Sequence, residues 1–382
     1  MTDIPLLTWG LVLAALVLGI LAGHFGWGKR WTGHLGKLHP DYLTGLDYLV
    51  TEQPDRALDM FLKLMDANAE TIETHFALGS LYRRRGEVER AIRIHQNILA
   101  RKELAPEHRE QALLALAQDY LRAGVLDRAE GLFQQVSEVP RLRASALDAL
   151  RGVYERQHDW QQALGTYRQL ARIKAAPART VAAHYLCESA TLAIDRGDID
   201  CARGLLNEAR AEAEALPFPR AALLGAQIAE REAQPGLAVK LLRQALTESP
   251  TLLQEELPHL LKLVGPEERD AILSELVAQT ESRDFDELKR LVFAAIAANL
   301  GSAAPLRAAI EKVFSQDDTL QAVWHEGPAQ SERIAREIGA LLAHAEKYRC
   351  NECGFSGRNF YWHCPACHSW DSFEAYAIVK LR

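Results

Sequence analysis

Gly79-Ser-Leu-Tyr82-Arg-Arg-Arg-Gly86-Glu-Val-Glu-Arg-Ala91-Ile-Arg-Ile-His95 carries the spacing that decides the fold. A small residue is followed after two others by an aromatic, then after eight others by an alanine, and after three more by a bulky side chain. The pattern returns as Gly45, Tyr48, Ala57, Phe61 and as Ala117, Tyr120, Ala129, Phe133. It continues as Tyr154, Ala163, Tyr167, then Ala190, Ala193, Ala202, Leu206, and finally Ala226, Ala229, Ala238, Leu242. Such a pattern suits two antiparallel helices. The Gly or Ala lets their backbones approach, the ring fills the wedge between turns, and the later Ala admits the next pair.

The alanines at 57, 91, 129, 163, 202 and 238 lie 34, 38, 34, 39 and 36 residues apart, which is tetratricopeptide spacing. Turn signals fall between the paired helices at Thr51-Glu52-Gln53-Pro54, Arg85-Gly86-Glu87, Ala123-Gly124 and Arg196-Gly197-Asp198. One unit cannot bury its own apolar face, whereas stacked units share a core and form a solenoid with an inner wall open to ligands. The repeats are expected over residues 39–250, and residues 251–345, where the period decays after Pro250, are expected to hold degenerate or capping repeats. Runs at 271–278 and 287–299 read as helices there, and 331–347 as a final amphipathic helix. On the inner wall the register places Tyr42, Phe76, Arg83, Arg84, Arg122 and Arg156, a mixed surface suited to a peptide with some negative charge. Arg83, Arg84 and Arg85 read equally well as a solvated helix end.

Composition supports a helical body, since Ala and Leu dominate and only 7% of residues are aromatic. A net charge of −7 argues against nucleic acid as the main partner. The chain opens with twenty uncharged residues, 4–23, about the length that crosses a bilayer. Asp3 and the absence of Lys or Arg before this stretch argue against a cleaved signal. The segment is therefore read as an uncleaved transmembrane anchor over residues 1–26, followed by a juxtamembrane linker over 27–38 with Trp27, Lys29, Arg30, Trp31 and Lys37. The positive flank places the bulk of the chain on the cytoplasmic side of a membrane and turns the N-terminus outward.

At the far end, Cys350-x-x-Cys353 and Cys364-x-x-Cys367 are separated by ten residues. Two such knuckles can offer four thiolates to one tetrahedral ion, and reduced cytoplasmic thiols favour a metal over disulfides. Residues 346–382 are expected to form this module, too small to fold on apolar burial alone. Short aromatic strands around the knuckles resemble a rubredoxin-type fold or zinc ribbon; Gly354 fits that pattern, and His368 departs from it. Zinc is the first expectation because all four positions are protein ligands, with iron the alternative. His363 and His368 are expected to flank the ligands, and Cys187 and Cys201 to be small core residues.

No catalytic constellation emerges, so the chain is not expected to be an enzyme. Gly23-His-Phe-Gly-Trp-Gly-Lys29 lacks the hydroxyl residue and preceding strand of a phosphate loop, His325-Glu326 lacks a second His, and Ser356 lacks nucleophile-elbow spacing. The expected fold is all-α, a tetratricopeptide-repeat solenoid with an N-terminal transmembrane helix and a small C-terminal rubredoxin-like module. With Arg85-Gly-Glu-Val-Glu-Arg-Ala-Ile-Arg-Ile-His-Gln96 and residues 348–370, this architecture resembles the lipopolysaccharide assembly protein B family of Gram-negative bacteria. The resemblance implies a single-pass adaptor of the inner membrane, its N-terminus in the periplasm and its bulk on the cytoplasmic side, that brings the LpxC deacetylase to the FtsH protease, with metal held by Cys350, Cys353, Cys364 and Cys367. It also implies that the metal module packs on the repeats. A membrane-tethered, rubredoxin-like electron carrier and a general envelope-assembly scaffold are the alternatives.

Overall fold

The computed structural model describes residues 72–316 apart from 174–179, 215, 284, 299 and 301–302, residues 346–375, and scattered positions between 43 and 60. The expected span at 4–23, its Trp- and Lys-bearing flank, Tyr42 and most of the expected helix at 331–347 lie outside these residues. Among the described residues no helix is long and apolar enough to cross a membrane. The chain divides into two compact units between Val153 and Tyr154.

The first unit holds α1 (Ile72–Arg85), α2 (Val88–Leu99), α3 (Pro106–Arg122), α4 (Leu126–Ser137) and the start of α5 (Arg143–Gln157). α1 packs on α2, α3 on α4, and α2 on α3, the hairpin stacking that the repeat period requires. Every marker alanine is sealed from solvent: Ala57, Ala91, Ala129, Ala163, Ala202 and Ala238 are all 0% exposed. His95, in a position read as bulky filler, is instead a buried polar group. Its Nδ1 meets the buried Asp119 carboxylate, and Asp119 also accepts from Arg83 at 2.7 Å. The imidazole lies where a Cβ on Gly79 would stand, 2.5 Å from Nε2.

The second unit continues with α6 (Trp160–Ala171), α7 (Thr180–Arg196), α8 (Ile199–Ala213), α9 (Pro219–Arg231) and α10 (Pro235–Glu248). Asp159 and Asp198 cap α6 and α8, each accepting a backbone N–H three residues on at 3.1 Å. After a 3-10 turn at Pro250–Leu252 come α11 (Leu253–Lys262), α12 (Pro266–Arg283), α13 (Phe285–Ala297) and α14 (Ala304–Ser315). There the sequential hairpins give way: α11 packs on α13, and α12 on both α13 and α14. One apolar core runs from Ala226 to Phe314 and takes in Phe360 and Trp362 of the C-terminal module. That module is a three-stranded antiparallel sheet ordered β2 (Ser356–Gly357), β1 (Tyr348–Cys350), β3 (Phe373–Ala375).

Cys187 is buried as expected, but Cys201 is exposed. It sits on the first turn of α8, facing away from the helix side that carries Ala202, Leu206 and Ala209. A thiol there gains nothing from the core.

Candidate metal centre

Two loops with the same backbone wiring bring the four cysteines together. The Gly354 N–H donates to Cys350 O at 2.9 Å and the Cys350 N–H to Phe355 O at 2.8 Å. Fourteen residues later the His368 N–H donates to Cys364 O at 2.9 Å and the Cys364 N–H to Ser369 O at 2.9 Å. Each knuckle needs one left-handed residue to turn its N–H groups inward. Gly354 takes it at φ 76° and His368 at φ 60°. The departure from glycine at His368 therefore leaves the turn intact, at the steric cost a side chain pays in this region.

The four sulfurs lie within 4.8 Å of one another, the one such His, Cys, Asp or Glu cluster among the described residues. Across the knuckles, Cys350 Sγ is 3.6 Å from Cys367 Sγ, and Cys353 Sγ is 3.7 Å from Cys364 Sγ. An ion bonded to four thiolates at about 2.3 Å sets them about 3.8 Å apart in a tetrahedron, so the cluster has the right size for one metal. Ser372 Oγ lies 3.3 Å from Cys350 Sγ, and Ser369 Oγ 3.3 Å from Cys367 Sγ. Burial pushes the Cys350 thiol up, but the Ser372 hydroxyl and neighbouring backbone N–H groups outweigh it and bring it to about 6. A thiol poised this way sheds its proton readily to a metal. Cys350 and Cys364 are buried while Cys353 is exposed, so the cluster opens to solvent on one side.

The module is seated on the helices of the second unit by groups that sequence reasoning did not single out. Trp370 Nε1 donates to Glu155 Oε1 at 3.0 Å, and the same oxygen accepts from Tyr185 Oη at 2.5 Å. The Trp370 ring lies flat between two imidazoles, 4.8 Å from His184 and 4.4 Å from His363. Arg220, only 8% exposed, places its guanidinium 5.8 Å from the ring centroids of both Trp362 and Trp370, a cation–π arrangement. It also donates to Glu188 at 2.6 Å and to His184 Nδ1 at 3.2 Å. His184 Nε2 meets Asp371 Oδ1 at 2.7 Å. Tyr348 is fully buried; burial raises its phenol and the Glu255 carboxylate of α11 adds to the rise. In an alanine-rich chain nothing local marks Glu155, His184 and Arg220 as partners of a segment some 150 to 215 residues away.

The wall positions expected from the register fare differently. Phe76 is buried with Ile98, Leu104 and Ala112, and Arg83 is turned into Asp119, so neither offers a free surface to a ligand. Arg84, Arg122 and Arg156 are exposed. His363 and His368 flank the ligands as expected, with His363 Nε2 3.0 Å from His368 O.

Residues 348–375 match a family model described as a rubredoxin metal-binding domain, and residues 74–110 and 146–179 match the tetratricopeptide-repeat model. The C-terminal part of a tetratricopeptide-repeat protein from Cytophaga hutchinsonii has 10% identity, covers 71% of this chain and 98% of that one, and superposes with a TM-score of 0.42. Lipopolysaccharide assembly protein B of Escherichia coli K12 is 29% identical over 95% of this chain and 98% of its own length. That of Haemophilus influenzae is 28% identical over 88% and 90%. Over nearly the whole length of both chains, this protein is therefore similar to lipopolysaccharide assembly protein B.

Proposed function

We propose that this protein is a membrane-anchored, non-catalytic adaptor of lipopolysaccharide synthesis, which presents the LpxC deacetylase to the FtsH protease from the cytoplasmic face of the inner membrane. The observation that carries the reading is the likeness to lipopolysaccharide assembly protein B across repeats and ribbon together. An adaptor needs binding surface and no reacting centre, and repeat helices whose outer residues are mixed and charged supply that surface. A bilayer-spanning segment at 4–23 would confine adaptor and protease to one membrane and raise their effective concentration without a new contact. On the first unit, Arg84 and Arg122 are the exposed wall residues that would meet an acidic partner segment. Zinc is the metal we assign to the four cysteines, since the set is complete without an open coordination position.

The test is depletion of the protein in its host, followed by a chase of LpxC on immunoblots. The expected result is a several-fold longer LpxC half-life, restored by the wild-type chain. An unchanged half-life removes the adaptor reading. Elemental analysis of purified protein is expected to return one zinc per chain. A red, iron-loaded preparation would instead favour electron transfer.

A further inference from the structure

Three groups converge on the seat of the ribbon with a proton arrangement that admits one solution. Arg220 carries only donors, so its contact with His184 Nδ1 requires that nitrogen to be a bare acceptor. The remaining ring proton then sits on Nε2 and is donated to Asp371 Oδ1. His184 is thus assigned as neutral, in the Nε2–H tautomer, with no exposure to solvent. A second proton could enter only at Nδ1. There it would meet an Arg220 N–H head on and set a cation beside a cation in a buried site.

The groups facing His184 come from every element around it. Asp371 and the rings of Trp362 and Trp370 come from the ribbon, Arg220 from α9, and Glu188 from its own helix α7. Glu155 of α5 accepts from the Trp370 indole N–H at the ring's edge, and His363 of the ribbon stacks on the same ring. Asp371 and Glu188 favour the charged imidazole, while burial and Arg220 oppose it. Burial is the largest of these influences and the balance lies below the usual histidine value. Burial alone would raise the Asp371 carboxyl, but His184, the Thr180 hydroxyl and the Arg220 charge together outweigh it and hold it below the usual value. Asp371 holds a left-handed backbone at φ 50°, and its N–H donates to Trp362 O at 3.0 Å within the ribbon.

We propose that the Asp371–His184–Arg220 contact is a proton-operated clasp, which holds the ribbon on the α7–α9 wall near neutral pH and releases it on mild acidification while the metal stays bound. The sign follows from linkage. A base whose docked pKa is depressed below its free value of about 6.5 stabilises docking fully above that value, and the stabilisation is lost as pH falls beneath it. A single proton limits the effect to about tenfold in the docking equilibrium per pH unit. Release uncovers a wall that carries Glu155, Tyr185, Glu188 and Arg220 together, so the clasp would regulate which face of the second unit a partner meets.

The experiment is hydrogen exchange on the full-length, zinc-loaded protein in nanodiscs between pH 7.5 and 5.5, corrected for intrinsic exchange, with zinc measured in the same samples. Opening at residues 180–190 and 369–373 is expected to rise up to tenfold per unit below about pH 6.5, at one zinc per chain throughout. His184→Gln, whose amide can accept from Arg220 and donate to Asp371, is expected to stay closed with a flat profile. Arg220→Met removes the opposing cation and is expected to shallow the slope. A flat wild-type profile, the same slope in His184→Gln, or zinc loss preceding the opening would overturn the clasp. The Arg220→Met slope still decides the matter if His184→Gln folds poorly, since an unchanged slope there also overturns it.

Discussion

At the scale of single residues, Gly79 shows why a small residue opens the repeat pattern. A glycine inside a helix normally costs up to about 1 kcal/mol relative to alanine, so Gly79→Ala would ordinarily stabilise α1. Here the added methyl group would stand 2.5 Å from a buried imidazole already held by Asp119. Overpacking decides the sign, and Gly79→Ala is expected to destabilise by roughly 1–3 kcal/mol. Urea unfolding followed by circular dichroism measures it, and a midpoint equal to or above wild type would refute the contact. The need for a small residue at 79 was legible from spacing alone. That the neighbour across the helix is a histidine buried on a carboxylate was not, because Asp119 lies in an ordinary polar stretch between Gln118 and Tyr120.

At the scale of elements, the repeats are wired by one turn used five times. Gly86, Gly124, His158, Gly197 and Ala233 all have left-handed backbones, and each lies five residues before a marker alanine. In each case the next residue donates back to a carbonyl five positions earlier, as in Glu87 to Tyr82 and Gln234 to Ala229 at 2.9 and 2.8 Å, the helix-ending pattern that glycine favours. The turns at 86, 124 and 197 could be read from their glycines. Those at 158 and 233 could not, because stacking forces the same conformation on residues that do not prefer it. Ala233→Gly is therefore expected to stabilise by roughly 0.5–1 kcal/mol, relief of left-handed strain exceeding the entropy glycine adds to the unfolded chain. Thermal unfolding of the variant checks this, and a lower midpoint would count against a strained turn.

At the scale of the molecule, the ribbon and the helices beneath it share one stability. Metal binding supplies folding free energy to a module of this size. Trp362 and Phe360 pass it on through the core that reaches Phe314, and Trp370 and Asp371 through the contacts to α5 and α7. Chelation of the metal, or Cys364→Ser, is expected to keep most of the helical circular dichroism. It is also expected to raise exchange at residues 180–196 and 219–231 and to lower the unfolding midpoint of that unit by several degrees. Metal-free protein with unchanged exchange in α7 and α9 would mean that the ribbon is merely appended.

Local patterns determined the periodic part of this protein by themselves: the repeat length, the alanines that must vanish into the core, and four cysteines at knuckle spacing. Each is a constraint between residues close in sequence, set by helix pitch, turn geometry or metal coordination, and each leaves a regular mark. Only the tertiary structure decided that the helix pairing changes after Pro250, that Phe76 and Arg83 are spent on packing, and that Glu155, His184 and Arg220 receive the ribbon. Those contacts join charged and aromatic groups distant along the chain, where the physical requirement is complementarity at one place in space. Complementarity of that kind has no period for a sequence to display.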